Sequence, residues 1–211
     1  MTQPTTNGAQ VTAVLLAAGG GRRLGGRPKA LLTHHGRPLV ENAVRALREG
    51  GCRTVYVVLG AAAEEVRARA DLTGCVLVDN PGWPDGMGSS LRAGLEALAA
   101  TGDGTGTDGV GARAALVSLV DQPGIGAAAV ARVLAAHRSG DSLAAASYDG
   151  KRGHPVLFGA RRWAEIAASA TGDRGARAYL KAHECEITLV ECGDVAEPYD
   201  IDTEADLGRL Q

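Results

Sequence analysis

Val11-Thr12-Ala13-Val14-Leu15-Leu16 constrains this chain more than any other segment, because it is almost wholly apolar and runs straight into Ala17-Ala18-Gly19-Gly20-Gly21. A strand with one wet face alternates apolar and polar residues. A continuous apolar run predicts a strand buried on both faces, inside a parallel sheet covered by helices. Similar runs recur at 54–59, 75–78 and 114–120. Helical patterns lie between them at 38–48, 61–70, 91–100 and 125–137. The first has Leu39, Val40, Ala43, Val44 and Leu47 on one face and Gly50-Gly51 as its stop. This alternation predicts a three-layer α/β/α fold around a mostly parallel sheet. Segments 143–148 and 155–158 flank the turn Asp149-Gly150 and predict one late antiparallel strand. Short helices are expected at 161–168 and 175–182, a last strand at 186–191 and a closing helix at 203–210.

Residues 1–10 are polar and expected to be a disordered N-terminus, leaving 11–211 as one domain. The segment 101–111, nearly all Gly, Thr and Asp, reads as a surface connection. Lys and Arg number 22 against 24 Asp and Glu, so the basic excess of a general nucleic-acid binder is missing. No apolar run reaches the ~18–20 residues of a membrane span. The N-terminal residues lack both a basic and an apolar signal region, so the cytoplasm is the expected compartment. Cys52, Cys75, Cys185 and Cys192 form no CxxC pair, and His183-x-Cys185 is half a metal site without a second half. These thiols read as small core residues. Aromatic residues are only 3%, so the core must be built from Ala, Val, Leu and Ile, and Trp83 and Trp163 stand out.

In open parallel sheets ligands sit beyond the carboxyl ends of strands, and three loops so placed are chemically loaded. The first, 17–29, combines Gly19, Gly20, Gly21, Gly25 and Gly26 with Arg22, Arg23, Arg27 and Lys29. Glycines let backbone N–H groups approach an anion, and clustered cations meet the charge of a triphosphate. It is not a P-loop, because Gly26 stands where the lysine is required. It is not a dinucleotide fingerprint either, because Leu24 takes the third glycine position. The second loop, 80–90, carries Ser89 and Ser90 at the start of a helix, where they cap it or bind a phosphate or sugar. The third ends at Asp121-Gln122-Pro123. Asp121 reads as a Mg²⁺ ligand facing a triphosphate, or as a turn cap ahead of proline. Late in the chain, Asp200 and Asp202 share one side of an extended segment. One of them can complete a metal site, while the other, or Thr203, caps the last helix.

Leu16-Ala17-Ala18-Gly19 through Arg23-Leu24-Gly25 to Pro28-Lys29 resembles the LAAGxSxRMGxPK signature of nucleotidyltransferases with a GT-A-like fold. Asn80-Pro81-Gly82-Trp83 with Gly86, Met87, Ser89, Ser90 and Gly94 resembles the molybdenum cofactor cytidylyltransferase (MocA-like) branch. So do Asp121-Gln122-Pro123, Gly153-His154-Pro155, Gly172-Asp173-x-Gly175-Ala176 and Asp200-Ile201-Asp202-Thr203. These blocks span residues 11 to 208 in the family's order. Three features depart from its pattern. Gly21 replaces a small hydroxyl residue, Gly26 lengthens the first loop by one, and Glu204-Ala205 replaces Pro-Glu.

The resemblance implies nucleotidyl transfer from a nucleoside triphosphate to a phosphate-bearing acceptor. It puts Arg23 and Lys29 on the triphosphate, with Asp121 as the third catalytic residue. It places Mg²⁺ on Asp121 with Asp202. It implies ligand contacts at Leu16, Ala17, Ala18, Gly19, Gly20, Gly86, Ser90 and His154, with backbone groups of Ala17, Ala18 and Gly19 meeting base and sugar. CTP is expected over GTP, because Ala18 stands where guanylyl-transferring relatives carry a second glycine. The expected acceptor is molybdopterin, and a molybdoenzyme of the xanthine dehydrogenase type is the expected partner. The resemblance puts His154-Pro155 and the 172–177 block on the acceptor side, where a pterin with a terminal phosphate would sit; His154 alone also reads as a structural turn histidine, and Arg174 and Arg177 as solvated helix charges. Two alternatives stay open: another phospho-acceptor or GTP on the same fold, and a non-catalytic chaperone that delivers the finished cofactor.

Overall fold

The computed structural model describes residues 11–101 and 112–210. The expected disordered N-terminus and nearly all of the 101–111 connection lie outside the described residues. The strands are β1 (Val11–Leu16), β2 (Thr33–His34), β3 (Arg37–Pro38), β4 (Val55–Leu59), β5 (Val76–Asp79), β6 (Ala114–Leu119), β7 (Leu143–Tyr148), β8 (Lys151–Gly159) and β9 (Thr188–Glu191). The α-helices are α1 (Leu39–Glu49), α2 (Ala63–Arg69), α3 (Met87–Ala100), α4 (Ala127–Leu134), α5 (Trp163–Ser169) and α6 (Arg177–Ala182).

Among the described residues, seven strands form one sheet in the order β5-β4-β1-β6-β8-β7-β9. Every neighbouring pair is parallel except those involving β8, which runs against both β6 and β7. The late antiparallel strand is therefore β8. From β1 the chain moves outward through β4 to β5, then returns to the other side of β1 for β6. That reversal opens a crevice at the carboxyl ends of β1 and β6.

Burial on both faces explains the apolar runs of β1, β4 and β6, whereas β5, expected to be buried in the same way, is an edge strand that leaves Val76 exposed. Ala13 and Leu15 of β1 pack with Val55, Val57 and Leu59 of β4 against Val40, Val44 and Leu47 of α1 and Val130 and Val133 of α4. Val14 and Leu16 point the other way, toward Leu91, Leu95 and Leu98 of α3 and Ile166 of α5. Successive side chains alternate across a strand, so each strand feeds both cores. The chain's one phenylalanine, Phe158, is fully buried beside Trp163, whose Nε1 donates to the Phe158 carbonyl at 2.9 Å. Thiol burial is mixed: Cys52 and Cys192 are buried as expected, while Cys185 is exposed.

Four expectations need correction. Helix α3 begins at Met87 rather than 91. Gly-Met-Gly-Ser-Ser reads as loop by propensity, but tertiary packing overrides it: Gly88 is buried against the backbone of Thr171, where a Cβ would lie 2.7 Å from the Thr171 nitrogen. Helix α4 is shorter than the expected 125–137, because Gly126 stays extended ahead of it. The ribbon β2–β3 was not anticipated. Its two turn residues, His35 and Gly36, have φ of 50° and 77°, as a type I′ hairpin requires. The signal was a His-Gly where Asn-Gly is usual. The closing segment Glu204–Arg209 is a 3₁₀ helix rather than an α-helix, opened by a capping box of Thr203 and Asp206.

Truncating Leu95, which is 1% exposed in the core beneath α3, is expected to cost about 3 kcal/mol through lost transfer energy and a residual cavity. Urea unfolding of Leu95→Ala checks this: the midpoint falls while the slope stays near that of the parent.

Candidate active site

The crevice at the ends of β1 and β6 is a cleft of about 420 Å³. Its walls come from the loop after β1, the start of α3, the exit of β6 and Asp202. The register pairs Leu16 with Leu119, and the Val120 N–H donates to the Leu16 carbonyl at 3.2 Å, so the β1 and β6 exits leave the sheet side by side.

The loop after β1 is wound tightly. The N–H groups of Leu24 and Gly26 both donate to the Gly21 carbonyl, at 2.8 and 3.0 Å, while Leu24 is wholly buried. Gly21 has a φ of 58°, and a Cβ there would lie 1.9 Å from the Arg27 carbonyl oxygen. The departure from the family's hydroxyl residue is therefore a local steric requirement. Arg22 and Arg23 line the cleft, exposed, with no hydrogen bond or ion pair among the described residues. Arg27 instead turns outward to Glu204 at 3.1 Å.

Lys29 sits between two carboxylates. Its Nζ donates to Asp121 Oδ2 at 2.7 Å and also to Asp202 Oδ1. Burial alone would lower the Lys29 pKa, but the charges and hydrogen bonds of Asp121 and Asp202 outweigh it, so the ammonium is held above its ordinary value. Asp121 moves upward: burial is the main cause, Asp200 and Asp202 add to it, and Lys29 opposes it. The backbone fixes this arrangement, because the Ile201 N–H donates to the Asp121 carbonyl at 2.9 Å. Asp200 and Asp202 diverge in their contacts. Asp202 lines the cleft, whereas Asp200 accepts from Gln122 Nε2 at 2.8 Å. Thr203 caps the last helix with Asp206, as one of the sequence readings has it.

The start of α3 forms the opposite wall. Asn80 is buried, and its Nδ2 donates to Ser89 Oγ at 2.9 Å and Ser90 Oγ at 3.0 Å. Ser89 spends its proton on the Gly86 carbonyl at 2.8 Å, and the N-cap of α3 is Gly86, so Ser89 is not the cap. Ser90 is left with its hydroxyl position set by Asn80 and its face on the cleft. Gly86 has a φ of 97°, and a Cβ there would lie 2.5 Å from Asp173 Oδ1. Asp173 and Trp83 also line the cleft. The sequence reading put Asp173 in the acceptor-side 172–177 block and gave Trp83 no role; for Trp83 the glycines at 20 and 60 were the available signal. A Cβ on Gly20 would lie 3.2 Å from the Trp83 ring.

Leu16, Ala18, Gly19, Gly20, Arg23, Lys29, Gly86, Ser90, Asp121 and Asp202 thus meet in one cleft. Two of the residues singled out from the sequence lie outside this cleft. The Ala17 side chain belongs to the core under α1, and its N–H is used by the Val58 carbonyl at 3.0 Å. The Ala18 carbonyl is likewise taken, by the Ala61 N–H at 3.2 Å. His154 lines a neighbouring cavity rather than this cleft.

A switch-point crevice with a glycine loop, two arginines unpaired among the described residues and a carboxylate pair is the setting of a nucleotide-binding enzyme of the α/β class. The family model for the MobA-like NTP transferase domain matches residues 13–187, and the chain belongs to that family of nucleotidyltransferases. Nicotine blue oxidoreductase of Paenarthrobacter nicotinovorans is 43% identical over 206 residues, covering 95% of this chain and 96% of that one. A molybdenum cofactor guanylyltransferase of Acidiphilium cryptum is 34% identical over 213 residues, covering 97% and 96%. Among solved structures, Rv0371c of Mycobacterium tuberculosis in complex with manganese aligns with a TM-score of 0.71 and 26% identity, covering 95% and 97%.

Removing the ammonium in Lys29→Met leaves Asp121 facing two carboxylates without a counter-charge, which raises its folded-state pKa further. A carboxyl group with a raised folded pKa binds protons more tightly folded than unfolded. Stability relative to the parent is then kept near pH 4 and lost as pH climbs toward 7. Urea unfolding of both proteins at the two pH values checks the sign.

Proposed function

We propose that this chain transfers a cytidylyl group from CTP to molybdopterin, giving a cytosine dinucleotide form of the cofactor and pyrophosphate. The observation that carries the reading is Lys29 held between Asp121 and Asp202 in a cleft whose arginines have no partner among the described residues. Arg22, Arg23 and Lys29 bind the triphosphate and offset its charge. Ser90, oriented by Asn80, hydrogen-bonds the nucleotide. An acceptor phosphate oxygen attacks the α-phosphorus in line. The new P–O bond forms as the bond to the β-phosphate oxygen breaks, and that oxygen leaves with the electron pair as pyrophosphate.

Asp121 and Asp202 suit a divalent cation. They are hard oxygen donors, they already share one cation, and one or two carboxylates plus phosphate oxygens satisfy Mg²⁺. Bound there, Mg²⁺ would neutralise charge on the phosphates. The manganese complex of Rv0371c supports a metal in a related fold.

Ala18 supports CTP. Ala18 lines the cleft, and a Cβ on Gly60 would lie 2.7 Å from both its methyl group and the Trp83 Cβ, so this part of the wall is already close. The guanylyltransferase relative keeps GTP as the alternative base. A second reading comes from the 43% identical relative, whose name is that of an oxidoreductase. In that reading the cleft holds a dinucleotide reductant. A delivery chaperone would bind nucleotide without turnover, and cytoplasmic supply of a xanthine-dehydrogenase-type enzyme remains the proposed setting.

The deciding experiment is pyrophosphate release with Mg²⁺, molybdenum-loaded molybdopterin, and CTP or GTP. Release with CTP alone is expected. Release with GTP alone moves the chain to the guanylyl branch. Oxidation of a reduced nicotinamide dinucleotide by an added dye, without pyrophosphate, favours the oxidoreductase reading. Binding without either reaction favours the chaperone. Asp121→Asn and Asp202→Asn are each expected to slow pyrophosphate release on the order of 10²–10³-fold, with circular dichroism unchanged. Retained turnover in both would sink the metal assignment.

A further inference from the structure

Segments 27–29 and 202–204 face each other through two ion pairs. Lys29 pairs with Asp202, and Arg27 Nη2 pairs with Glu204 Oε1 at 3.1 Å. The pairs step two residues along both segments, in opposite directions, so they are adjacent rungs between the same two stretches of chain. The inner rung belongs to the nucleotide cleft, which Lys29 and Asp202 both line. Neither Arg27 nor Glu204 of the outer rung lines it.

The backbone on the Lys29 side has freedom to lose. Gly25 and Gly26 are consecutive and left-handed, with φ of 66° and 80°. They follow Leu24, which is wholly buried, and the next buried side chain is Ala30. Arg27 braces the stretch between these anchors. Its Nε donates to the Leu24 carbonyl at 2.9 Å while its Nη2 reaches Glu204. A planar guanidinium makes two such bonds at once, whereas a lysine has a single nitrogen to give. On the other side, Glu204 opens the closing 3₁₀ helix. Asp206 of its capping box accepts from the Asp202 and Thr203 N–H groups at 3.1 and 2.8 Å. Glu204 and Asp202 are thereby fixed to one turn. Gly26 and Glu204, two of the places where the chain departs from the family's pattern, come together here.

We propose that Arg27 and Glu204 are positioning residues, whose ion pair clasps the glycine loop to the 202–206 turn and so keeps Lys29 and Asp202 in register at the cleft. The inference rests on the nucleotidyl-transfer reading and deepens it, since that reading uses both the Lys29 ammonium and the Asp202 carboxylate. The two side chains are 50% and 73% exposed, so salt screens the pair and its effect is modest. It acts through Lys29 and Asp202 rather than on a ligand.

The test uses Arg27→Gln, Glu204→Gln and the double variant. Both side chains are exposed, so the fold is not at stake. Amide hydrogen exchange is followed by NMR, and binding of Mn²⁺, standing in for Mg²⁺, by the electron paramagnetic resonance signal of the free ion. Glu204→Gln is expected to speed exchange at the Gly26 and Arg27 N–H groups, which bond only within the glycine loop. Arg27→Gln is expected to speed exchange at the Asp202 and Thr203 N–H groups across the cleft. Each single variant weakens Mn²⁺ binding about two- to fivefold, and the double variant weakens it no more than Arg27→Gln alone. The difference from the parent vanishes at high salt. Exchange that changes only on the mutated segment, or additive losses of Mn²⁺ affinity, overturns the proposal. Asp202→Asn separates the clasp from the reading beneath it. Mn²⁺ binding that survives Asp202→Asn overturns the metal assignment and the clasp's purpose with it. Binding lost in Asp202→Asn, beside equal affinity in the parent and both clasp variants, keeps the metal and overturns the clasp alone.

Discussion

The two-sided burial of β1 governs the rest of the molecule. With Ala13 and Leu15 in one core and Val14 and Leu16 in the other, the strand has no face left for polar groups. Chemistry can reside only at its ends. At the carboxyl end, the Leu16–Leu119 pairing brings the glycine loop and Asp121 together. The cleft is therefore a consequence of how the sheet is wound. A parallel strand flanked by chain segments leaving in opposite directions leaves a gap that only loops can line.

The same winding separates two charged regions. One holds Arg22, Arg23 and Lys29 around the glycine loop. The other holds Lys151, Arg152 and Arg177 beyond the reversed strand β8. If β8 were parallel, its first residues would lie at the opposite edge of the sheet. One antiparallel strand thus doubles the cationic surface on the functional edge without crowding a single loop. The Asp121-Gln122 segment lies between the two, bonded through Lys29 on one side and Asp200 on the other.

Much of this was legible from the residues. The apolar strand runs located β1, β4 and β6 to within a residue, since burial on both faces leaves a pattern that needs no neighbour to interpret. Arg23, Lys29, Ser90 and Asp121 could be singled out because of their types and their positions after strands, and the structure brings them to one cleft. The start of α3 was not legible, since a Gly-Met-Gly-Ser-Ser helix turn depends on Thr171 packing against Gly88 from 83 positions away. Cys185 read as a core thiol and lies exposed, because strand-like surroundings in sequence do not fix which face is covered.

By itself, the sequence determined the α/β layering, the glycine loop and the family signature, because these depend on local periodicity and on contiguous residues. The tertiary structure alone decided which carboxylate shares Lys29. Asp200 and Asp202 are equivalent on an extended segment. Only the docking of Ile201 on the Asp121 backbone turns Asp202 toward the cleft and leaves Asp200 to Gln122. It likewise brought His154 and Arg177 to one neighbouring cavity, because strand direction in a sheet is set by partners distant in sequence.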